Sequence, residues 1–411
     1  TYRAEDRSFP VAEDANGQAL NRNLDRRTRR RGAELDLKWR PLDSLRVESL
    51  NLETGQRLPF LVEKPSGEHW ELKPGFSGLA AWAKEPAVLV VSDWQGRELD
   101  RTYFQLGALL DGLYSYDGCL GLCREGGRLL AKVWAPTAKS VKLLSQGQEF
   151  PLEEREGGVW AGEARGPYRY EVEVFTPATG RVERHSVTDP YSLALSANSR
   201  ETLVVDPLDE KWMPDGWKSG KRPLLESLND SVLYELHVRE FSLSDQTVPP
   251  ALRGTYSAFT VEASAGSRHL SELAKAGVTH VHLLPVNDFA TVEEDAASHR
   301  APEIPAGLPA DSPVPQEELQ RVRSIDGFNW GYDPYHFFAP EGSYSTEPDG
   351  PQRVKEFRAM VQALHRMGLR VVMDVVFNHT YSSGASRDSV LDKIVPGYYY
   401  RLDDSGQVRN S

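Results

Sequence analysis

A short polar run at the end of a hydrophobic segment is the first place in this sequence where chemistry could occur. Asp374 lies within the apolar run 369–377, and Asn378 and His379 follow that run directly. A carboxylate among valines is unfavourable to bury unless it is paired or its charge is used. Asn378 and His379 both donate and accept hydrogen bonds, which suits a ligand rich in hydroxyl groups. The residues alone leave two alternatives open, namely an aspartate satisfied by a loop amide and a loop histidine without a ligand.

A second candidate is the aromatic segment 327–336, whose sequence is GFNWGYDPYH. It contains Trp330, Tyr332 and Asp333 within four positions. Aromatic planes beside amide and carboxylate groups can bind the apolar face and the polar rim of a sugar ring. An aromatic lid over the edge of the fold, with no ligand, explains the same residues equally well.

Other polar residues favour structural roles. Glu235, His237 and Arg239 alternate along one predicted strand, and we interpret them as a polar layer because they precede the strand's end. His280 and His282 alternate along another strand in the same way. Since no carboxylate stands at ligand spacing from them, we interpret these two histidines as packing residues rather than metal ligands.

The composition excludes several classes of protein. The 411 residues have a formal net charge of −12, with 39% hydrophobic and 26% charged residues, which is ordinary for a globular protein and argues against a general nucleic-acid binder. There is no apolar run long enough for a membrane helix, and no signal peptide is visible, so we leave the location open. We interpret the arginine-rich run 22–31 as a solvated or mobile segment. Cys119 and Cys123 are too few for a disulfide framework or a zinc site, which predicts two partly buried thiols.

The elements that must position the candidate residues change in type near residue 207. Short apolar runs separated by turns, such as 35–39, predict a β-sandwich domain over residues 1–110. Period-2 alternation predicts a second β-sandwich over residues 111–206. Residues 207–230, rich in proline and glycine, predict a linker.

After Ser231, apolar strands alternate with helices. Ser267 is the predicted N-cap of one helix, and Pro351 is the predicted first residue of another. Residues 287–327 form a long insertion between them. The predicted strands are 232–238, 278–286 and 369–377. This order predicts a parallel sheet covered by helices, with ligands binding at the carboxyl ends of its strands.

Four segments of this half resemble, in order and spacing, the α-amylase superfamily (glycoside hydrolase family 13). They are YELHVR (234–239), VHLLPV (281–286), NWGYDP (329–334) and DVVFNH (374–379). The NWGYDP segment and the insertion before it resemble type I pullulanases. Upstream, VWAPTA (133–138) and VTDPYS (187–192) resemble the family 48 carbohydrate-binding module.

The resemblance implies a multidomain fold of two β-sandwich modules, the second a family 48 module over 111–206, followed by the first part of a (β/α)8 TIM barrel over 207–411. The activity it implies is retaining hydrolysis of α-1,6 branch points in pullulan, limit dextrin or glycogen. The expected partners are an α-glucan and the remainder of the barrel, without nucleic acid or membrane. Two alternatives remain, a non-catalytic α-glucan-binding protein and an isoamylase or branching-type enzyme.

The resemblance also implies roles for individual residues. Asp374 would fix the sugar of the −1 subsite, His379 would bind the ring hydroxyls and Tyr332 would stack on the same ring. Trp330 and Asp333 would complete the pocket. We expect Asn378 to order the loop; in some family members the matching residue binds calcium, and no other cofactor is expected.

One departure from the family affects catalysis. A retaining glycosidase places a nucleophile and a general acid/base about 5–5.5 Å apart, and the family has both on strands after the third. Only three strands are visible here, whereas a complete barrel takes about 250 residues. We interpret the acids after Thr380 as loop acids; they are Asp388, Asp392, Asp403 and Asp404. We therefore expect no catalytic residue in this chain, with the nucleophile and acid/base beyond Ser411.

Overall fold

The computed structural model describes residues 11–12, 45–63, 71–323, 325–403 and 406–409. The arginine-rich run 22–31, the predicted strand at 35–39 and Asp404 lie outside these residues. None of the helices in the described ranges is long and apolar enough to cross a membrane.

Six strands form one sheet in the amino-terminal part, in the order β1-β4-β3-β2-β5-β6. They are β1 (Val11–Ala12), β2 (Leu45–Asn51), β3 (Arg57–Glu63), β4 (Glu71–Pro74), β5 (Ala87–Asp93) and β6 (Glu98–Tyr103). Strand β1 pairs parallel to β4, and the other pairs are antiparallel. Helices α1 (Leu79–Trp82) and α2 (Gly107–Leu113) accompany the sheet.

The described residues of this part form a single sheet, and the predicted β-sandwich over 1–110 stays a prediction because most of residues 1–44 lie outside them. The apolar side chains of the sheet pack on an aromatic cluster. The ring of Trp82 lies 4.7 Å from that of Phe104 and 6.3 Å from that of Phe60. Phe60 and Trp82 belong to the same buried cluster as Leu89 of β5. Large aromatic side chains can cover an apolar sheet face with few residues.

The next part of the chain forms two four-stranded antiparallel sheets. One has the order β10-β9-β13-β14 and the other β11-β12-β8-β7. Their strands are β7 (Gly121–Glu125), β8 (Arg128–Trp134), β9 (Ala138–Ser145), β10 (Gln148–Pro151), β11 (Glu153–Arg155), β12 (Val159–Glu163), β13 (Arg169–Thr176) and β14 (Arg181–Val187). Val133 of one sheet and Val172 of the other belong to one buried core, which makes this part a β-sandwich.

Cys119 and Cys123 form a disulfide, with Cα atoms 6.0 Å apart. The prediction of two partly buried thiols is therefore wrong. Gly121, between them, has φ +77°, a left-handed conformation that turns the chain back on itself and that glycine adopts readily. A Cβ at this position would lie 2.7 Å from Cβ of Tyr191. The sharp turn brings the two cysteines into bonding range.

Three parallel strands form the sheet of the carboxyl-terminal part, in the order β15-β16-β19. They are β15 (Leu233–Leu236), β16 (His280–Leu283) and β19 (Arg370–Met373), each shorter than predicted. Helices α3 (Val238–Leu243), α4 (Ala265–Lys275) and α6 (Gln352–Arg366) lie between them in sequence. The apolar face of α6 packs against the sheet through Met360 and Leu364. The continuation of this sheet into a barrel stays a prediction, as do the domain boundaries at 110 and 206.

The ends of the helices differ slightly from the sequence prediction. Ser264, not Ser267, caps α4, and its hydroxyl oxygen accepts the Ser267 N–H at 3.0 Å. Pro351 stands at the N-cap of α6 rather than inside it. The insertion 287–327 contains α5 (Val314–Val322) and β17 (Asn287–Phe289), which pairs antiparallel with β18 (Pro334–Pro340). Helix α7 (Leu391–Ile394) follows β19.

Candidate functional site

Tyr332, Asp374 and His379 come together at the carboxyl end of β19. The hydroxyl of Tyr332 donates to Oδ2 of Asp374 at 2.8 Å. Nε2 of His379 lies 2.8 Å from the backbone carbonyl oxygen of Tyr332 and donates to it. The three residues therefore form one unit, in which the tyrosine is held at both its hydroxyl and its backbone.

The partner of Asp374 is a tyrosine rather than the loop amide that the sequence left as an alternative. The backbone N–H of Asp374 donates to the carbonyl of Leu283 at 3.0 Å, so the residue continues the pairing of β19 with β16. Partial burial, together with the neighbouring Asp374 carboxylate, raises the pKa of Tyr332 to about 12. Because its hydroxyl stays protonated at neutral pH, Tyr332 remains a hydrogen-bond donor to the carboxylate.

The turn before Tyr332 is set by Asn329 and Gly331, two residues that the sequence analysis did not select. The side-chain oxygen of Asn329 accepts the Gly331 N–H at 2.8 Å, and its Nδ2 donates to the Ala290 carbonyl at 3.0 Å. Gly331 has φ +84°, and a Cβ there would lie 2.8 Å from Cβ of Pro285. The Asn-x-Gly spacing is a turn signal that could have identified both residues.

A groove of 1110 Å³ lies beside this turn. Trp330, Tyr332 and Asp333 are among its lining residues, whereas Asp374 and His379 are not. Three of the five predicted sugar-binding residues thus line the groove. The other two, Asp374 and His379, contact Tyr332 instead. Trp330 is 57% exposed, so its ring is free to contact a ligand.

Asp333 and Asn378 have different surroundings. The carboxylate of Asp333 accepts a hydrogen bond from the Thr291 hydroxyl, and its backbone oxygen accepts the Ala290 N–H at 3.0 Å. Asp333 therefore attaches the aromatic segment to the insertion. Asn378 is exposed, and its predicted role in ordering the loop stays a prediction.

His237 contacts the aromatic segment through a hydrogen bond and a ring stack. Its Nδ1 accepts the Glu240 N–H at 3.3 Å, so its Nε2 carries the proton that it donates to the Asn329 carbonyl at 2.8 Å. The imidazole also stacks on Phe328, with ring centroids 5.8 Å apart. The predicted strand face shared by Glu235, His237 and Arg239 is wrong, because β15 ends at Leu236 and Arg239 lies in α3.

The two histidines of β16 have ordinary polar partners. Nδ1 of His280 lies 2.8 Å from the Thr279 hydroxyl oxygen. His282 lies 3.7 Å from the exposed carboxylate of Glu235. Neither belongs to the group of acidic residues that could hold a metal among the described residues.

That group consists of three buried carboxylates from the insertion and the end of β18, namely Asp288, Glu294 and Glu341, whose oxygens lie within 4.8 Å of one another. The guanidinium of Arg353, fully buried on α6, lies among them. Its Nη2 is 2.8 Å from Glu294 and its Nη1 is 3.5 Å from Asp288. The cation is therefore supplied by the chain itself.

The charges of this cluster are not fully balanced, because three carboxylates face one guanidinium. Burial raises the pKa of Glu294 to about 7, against the opposing effect of Arg353. Burial and the neighbouring Glu294 raise the pKa of Glu341 well above its ordinary value. The sequence analysis missed this cluster because it assigned Asp288 and Glu294 to an insertion and did not consider Glu341 or Arg353.

Two of the acids after Thr380 accept backbone hydrogen bonds, and a third, Asp388, lies 3.8 Å from Nε of Arg387. Asp392 accepts the N–H groups of Gly384 and Gly397, at 2.6 and 3.0 Å. Asp403 accepts the Gln407 N–H at 3.0 Å. A carboxylate used in this way orders a loop.

Comparisons with known proteins agree with the two family resemblances of the sequence. Residues 119–192 match the family described as carbohydrate-binding module 48 (isoamylase N-terminal domain). The chain is 41% identical over 346 residues to the chloroplastic pullulanase 1 of Arabidopsis thaliana, covering 80% of this chain and 36% of that protein.

Solved structures show the same similarity in three dimensions. The crystal structure of PulA from Klebsiella oxytoca matches with a TM-score of 0.82 at 30% identity, covering 98% of this chain and 44% of that one. The maltotriose complex of PulA from Klebsiella pneumoniae matches with a TM-score of 0.82 at 29% identity, covering 98% of this chain and 50% of that one. The chain thus spans about a third of the curated relative and half or less of these solved structures.

Proposed function

We propose that this chain, which corresponds to the amino-terminal region of a pullulanase of glycoside hydrolase family 13 and contains a family 48 carbohydrate-binding module, supplies part of the sugar-binding site of an α-1,6-glucan debranching hydrolase. Its ligands would be the branched α-glucans pullulan, limit dextrin or glycogen. In this proposal residues 207–411 form the first strands of a (β/α)8 barrel, and the groove beside Tyr332 is one wall of the −1 subsite.

The observation that carries the proposal is the rigid attachment of Tyr332. Its hydroxyl is held by Asp374 and its backbone carbonyl by His379. A tyrosine ring fixed in this way is a preformed surface for the apolar face of a glucose ring. The neighbouring exposed ring of Trp330 extends this surface along the groove.

The same geometry argues that hydrolysis needs groups from outside these 411 residues. Asp374 already accepts the Tyr332 hydroxyl, and Asp333 binds Thr291. In the buried cluster, Asp288 and Glu294 pair with Arg353 and Glu341 accepts two backbone N–H groups. All three acids are buried. These carboxylates have structural partners, so we assign none of them the role of nucleophile or general acid/base.

Titration of the 411-residue chain with maltotriose, followed by tryptophan fluorescence or calorimetry, tests the sugar site. Trp330→Ala removes an exposed ring from the groove, and we expect it to weaken binding about tenfold. Trp94→Ala is the matched control, because Trp94 is 66% exposed on the β5–β6 turn and does not line the groove. If both variants lose maltotriose affinity equally, or if neither loses any, the result would contradict a sugar site at Trp330.

Release of reducing ends from pullulan by the same chain tests the assignment of catalysis. We expect binding without turnover. Clear hydrolysis would show that this chain contains the catalytic carboxylates. The alternative function is that of a non-catalytic glucan-binding protein, and it is equally consistent with the structural partners of the described acids. It would give the same result for this chain. It differs in predicting no hydrolysis by the natural full-length protein.

A further inference from the structure

A second cavity, of 640 Å³, lies where the amino-terminal sheet and the β-sandwich meet residues from 383–402 and 406–408. It shares no lining residue with the groove beside Tyr332. Its volume is within the range of small-molecule sites, which are commonly 300–1,000 Å³. The three parts of the chain that form its walls are distant in sequence, so the cavity exists only in the assembled fold.

One wall of this cavity is aromatic. Tyr103 and Phe104 at the end of β6 and Phe175 near the end of β13 line it, and each is half-buried. The rings of Tyr103 and Phe175 lie 6.0 Å apart at an interplanar angle of 50°. Aromatic side chains held by neighbouring packing and still partly accessible offer apolar planes to a ligand.

Polar side chains form another part of the wall. Thr137 is only 8% exposed, and its hydroxyl oxygen has no hydrogen-bond partner in the described structure. An unpaired buried hydroxyl is unfavourable, so this oxygen is available to any polar group that reaches it. Asp392 lines the same cavity with both carboxylate oxygens fixed by backbone amides.

The charge of the lining selects the class of ligand. None of the described residues that line the cavity is a lysine or an arginine, while Glu85 and Asp392 are acidic, and Nζ of Lys139 lies 3.9 Å from Glu85. Such a lining disfavours phosphates and other anions. Aromatic planes beside hydroxyl, amide and carboxylate groups instead suit a neutral ligand with an apolar face and many hydroxyl groups.

We propose that this cavity, which we call the inter-sheet cleft and define by Tyr103, Phe104, Thr137, Phe175 and Asp392, is a second α-glucan-binding site that takes a short linear segment of the polysaccharide. The choice of an α-glucan among hydroxyl-rich ligands rests on the proposed function. The proposal that a ligand binds here rests on the geometry and lining of the cleft. A glucan segment bound there would contact three parts of the fold at once and would stabilise their arrangement by mass action.

Hydrogen exchange of the 411-residue chain with and without maltohexaose tests the proposal, because it separates the two sites. We expect maltohexaose to slow exchange in segments 102–106 and 175–178, as well as in 328–333. Ala178→Arg places a large side chain at an exposed position of the cleft rim without removing any packing. We expect it to abolish protection of the first two segments and to leave 328–333 protected.

A second variant acts on the polar wall. Thr137→Val keeps the shape of the side chain and removes the unpaired hydroxyl, and we expect it to weaken binding at the cleft about tenfold. Trp94→Ala, at an exposed ring outside the cleft, is the control and should change neither site.

The outcomes distinguish the two proposals. Protection of 328–333 alone overturns the cleft and leaves the proposed function intact. Protection of 102–106 and 175–178 alone supports the cleft and overturns the sugar site at Tyr332. Protection that persists in all three segments of Ala178→Arg also overturns the cleft, and protection of none overturns both.

Discussion

Replacement of Arg353 by methionine tests whether the buried acidic cluster depends on this one cation. Arg353 is fully buried and lies 2.8 Å from Glu294 and 3.5 Å from Asp288. Methionine keeps much of the side-chain length and removes the charge. Removing one partner of a buried ion pair typically costs about 3–5 kcal/mol, because the remaining charge is left uncompensated. We expect a loss of that size in the free energy of unfolding at neutral pH.

The pH dependence of this loss separates charge from packing. A carboxyl group with a raised pKa in the folded state binds more protons when folded than when unfolded, so stability falls as pH rises from its unfolded pKa to its folded pKa. For Glu294 in the wild type that window extends from about 4.5 to about 7. Arg353 lowers the pKa of Glu294, so its removal extends the window to higher pH.

Each further unit of pKa adds about 1.4 kcal/mol to the loss. The destabilisation caused by Arg353→Met should therefore be larger at about pH 8 than at about pH 6, by about 1 kcal/mol for a shift of one unit, because Glu294 is then only partly ionised at pH 8. Urea unfolding at the two pH values, followed by tryptophan fluorescence, measures both losses.

Arg358→Met is the control on the same helix, because Arg358 donates to the backbone carbonyls of Trp212 and Pro207 rather than to carboxylates. It should cost about 1 kcal/mol at both pH values. A loss in Arg353→Met that is equal at the two pH values would refute the electrostatic reasoning and assign the effect to packing.

Three further predictions concern the turn, the disulfide and the cluster. Gly331→Ala should destabilise the chain by about 1–3 kcal/mol and weaken maltotriose binding, because φ +84° and the close approach of Pro285 disfavour a side chain; urea unfolding and calorimetry measure the two effects. Cys119→Ser opens the disulfide, whose short loop should contribute about 2 kcal/mol to the urea-unfolding free energy, and reduction of the wild type should lower stability equally. Glu294→Gln removes the titrating carboxyl, so the urea-unfolding free energy should change less between about pH 5 and about pH 7 than in the wild type, by about 2 kcal/mol.

The sequence predicted elements whose signals are local. The run 369–377 and its two counterparts gave the three strands, and the helix between Pro351 and Gly368 follows from its apolar face and its ends. The ends of elements were less accurate: Ser264 and Ser267 are both good capping residues, and only the backbone geometry distinguishes them. The disulfide was missed because the turn at Gly121 determines whether two cysteines four residues apart can meet.

Residues that depend on distant partners could not be found in this way. Arg353 occupies a position on α6 next to apolar residues, and its partners Asp288 and Glu294 lie about 60 residues earlier in the chain. Nothing local distinguishes such a buried arginine from an exposed one. By contrast, the proximity of Tyr332 to Asp374 was expected from the resemblance, which places both at the strand ends of one fold.

The sandwich and the aromatic segment are parts of one polar network, which explains why their sequence signatures occur together. Thr188, in the VTDPYS segment of the sandwich, lies 2.7 Å from Nε2 of His336, only four residues after Tyr332. Nδ1 of the same fully buried imidazole lies 2.7 Å from Asp288. Because a carboxylate can only accept, Nδ1 donates to Asp288, and in the neutral ring Nε2 accepts the Thr188 hydroxyl. Displacing the sandwich would therefore leave His336 with an unmet hydrogen bond beside the acidic cluster. The sandwich is therefore joined by a direct hydrogen bond to the segment that carries Tyr332, and it contributes to the position of the groove.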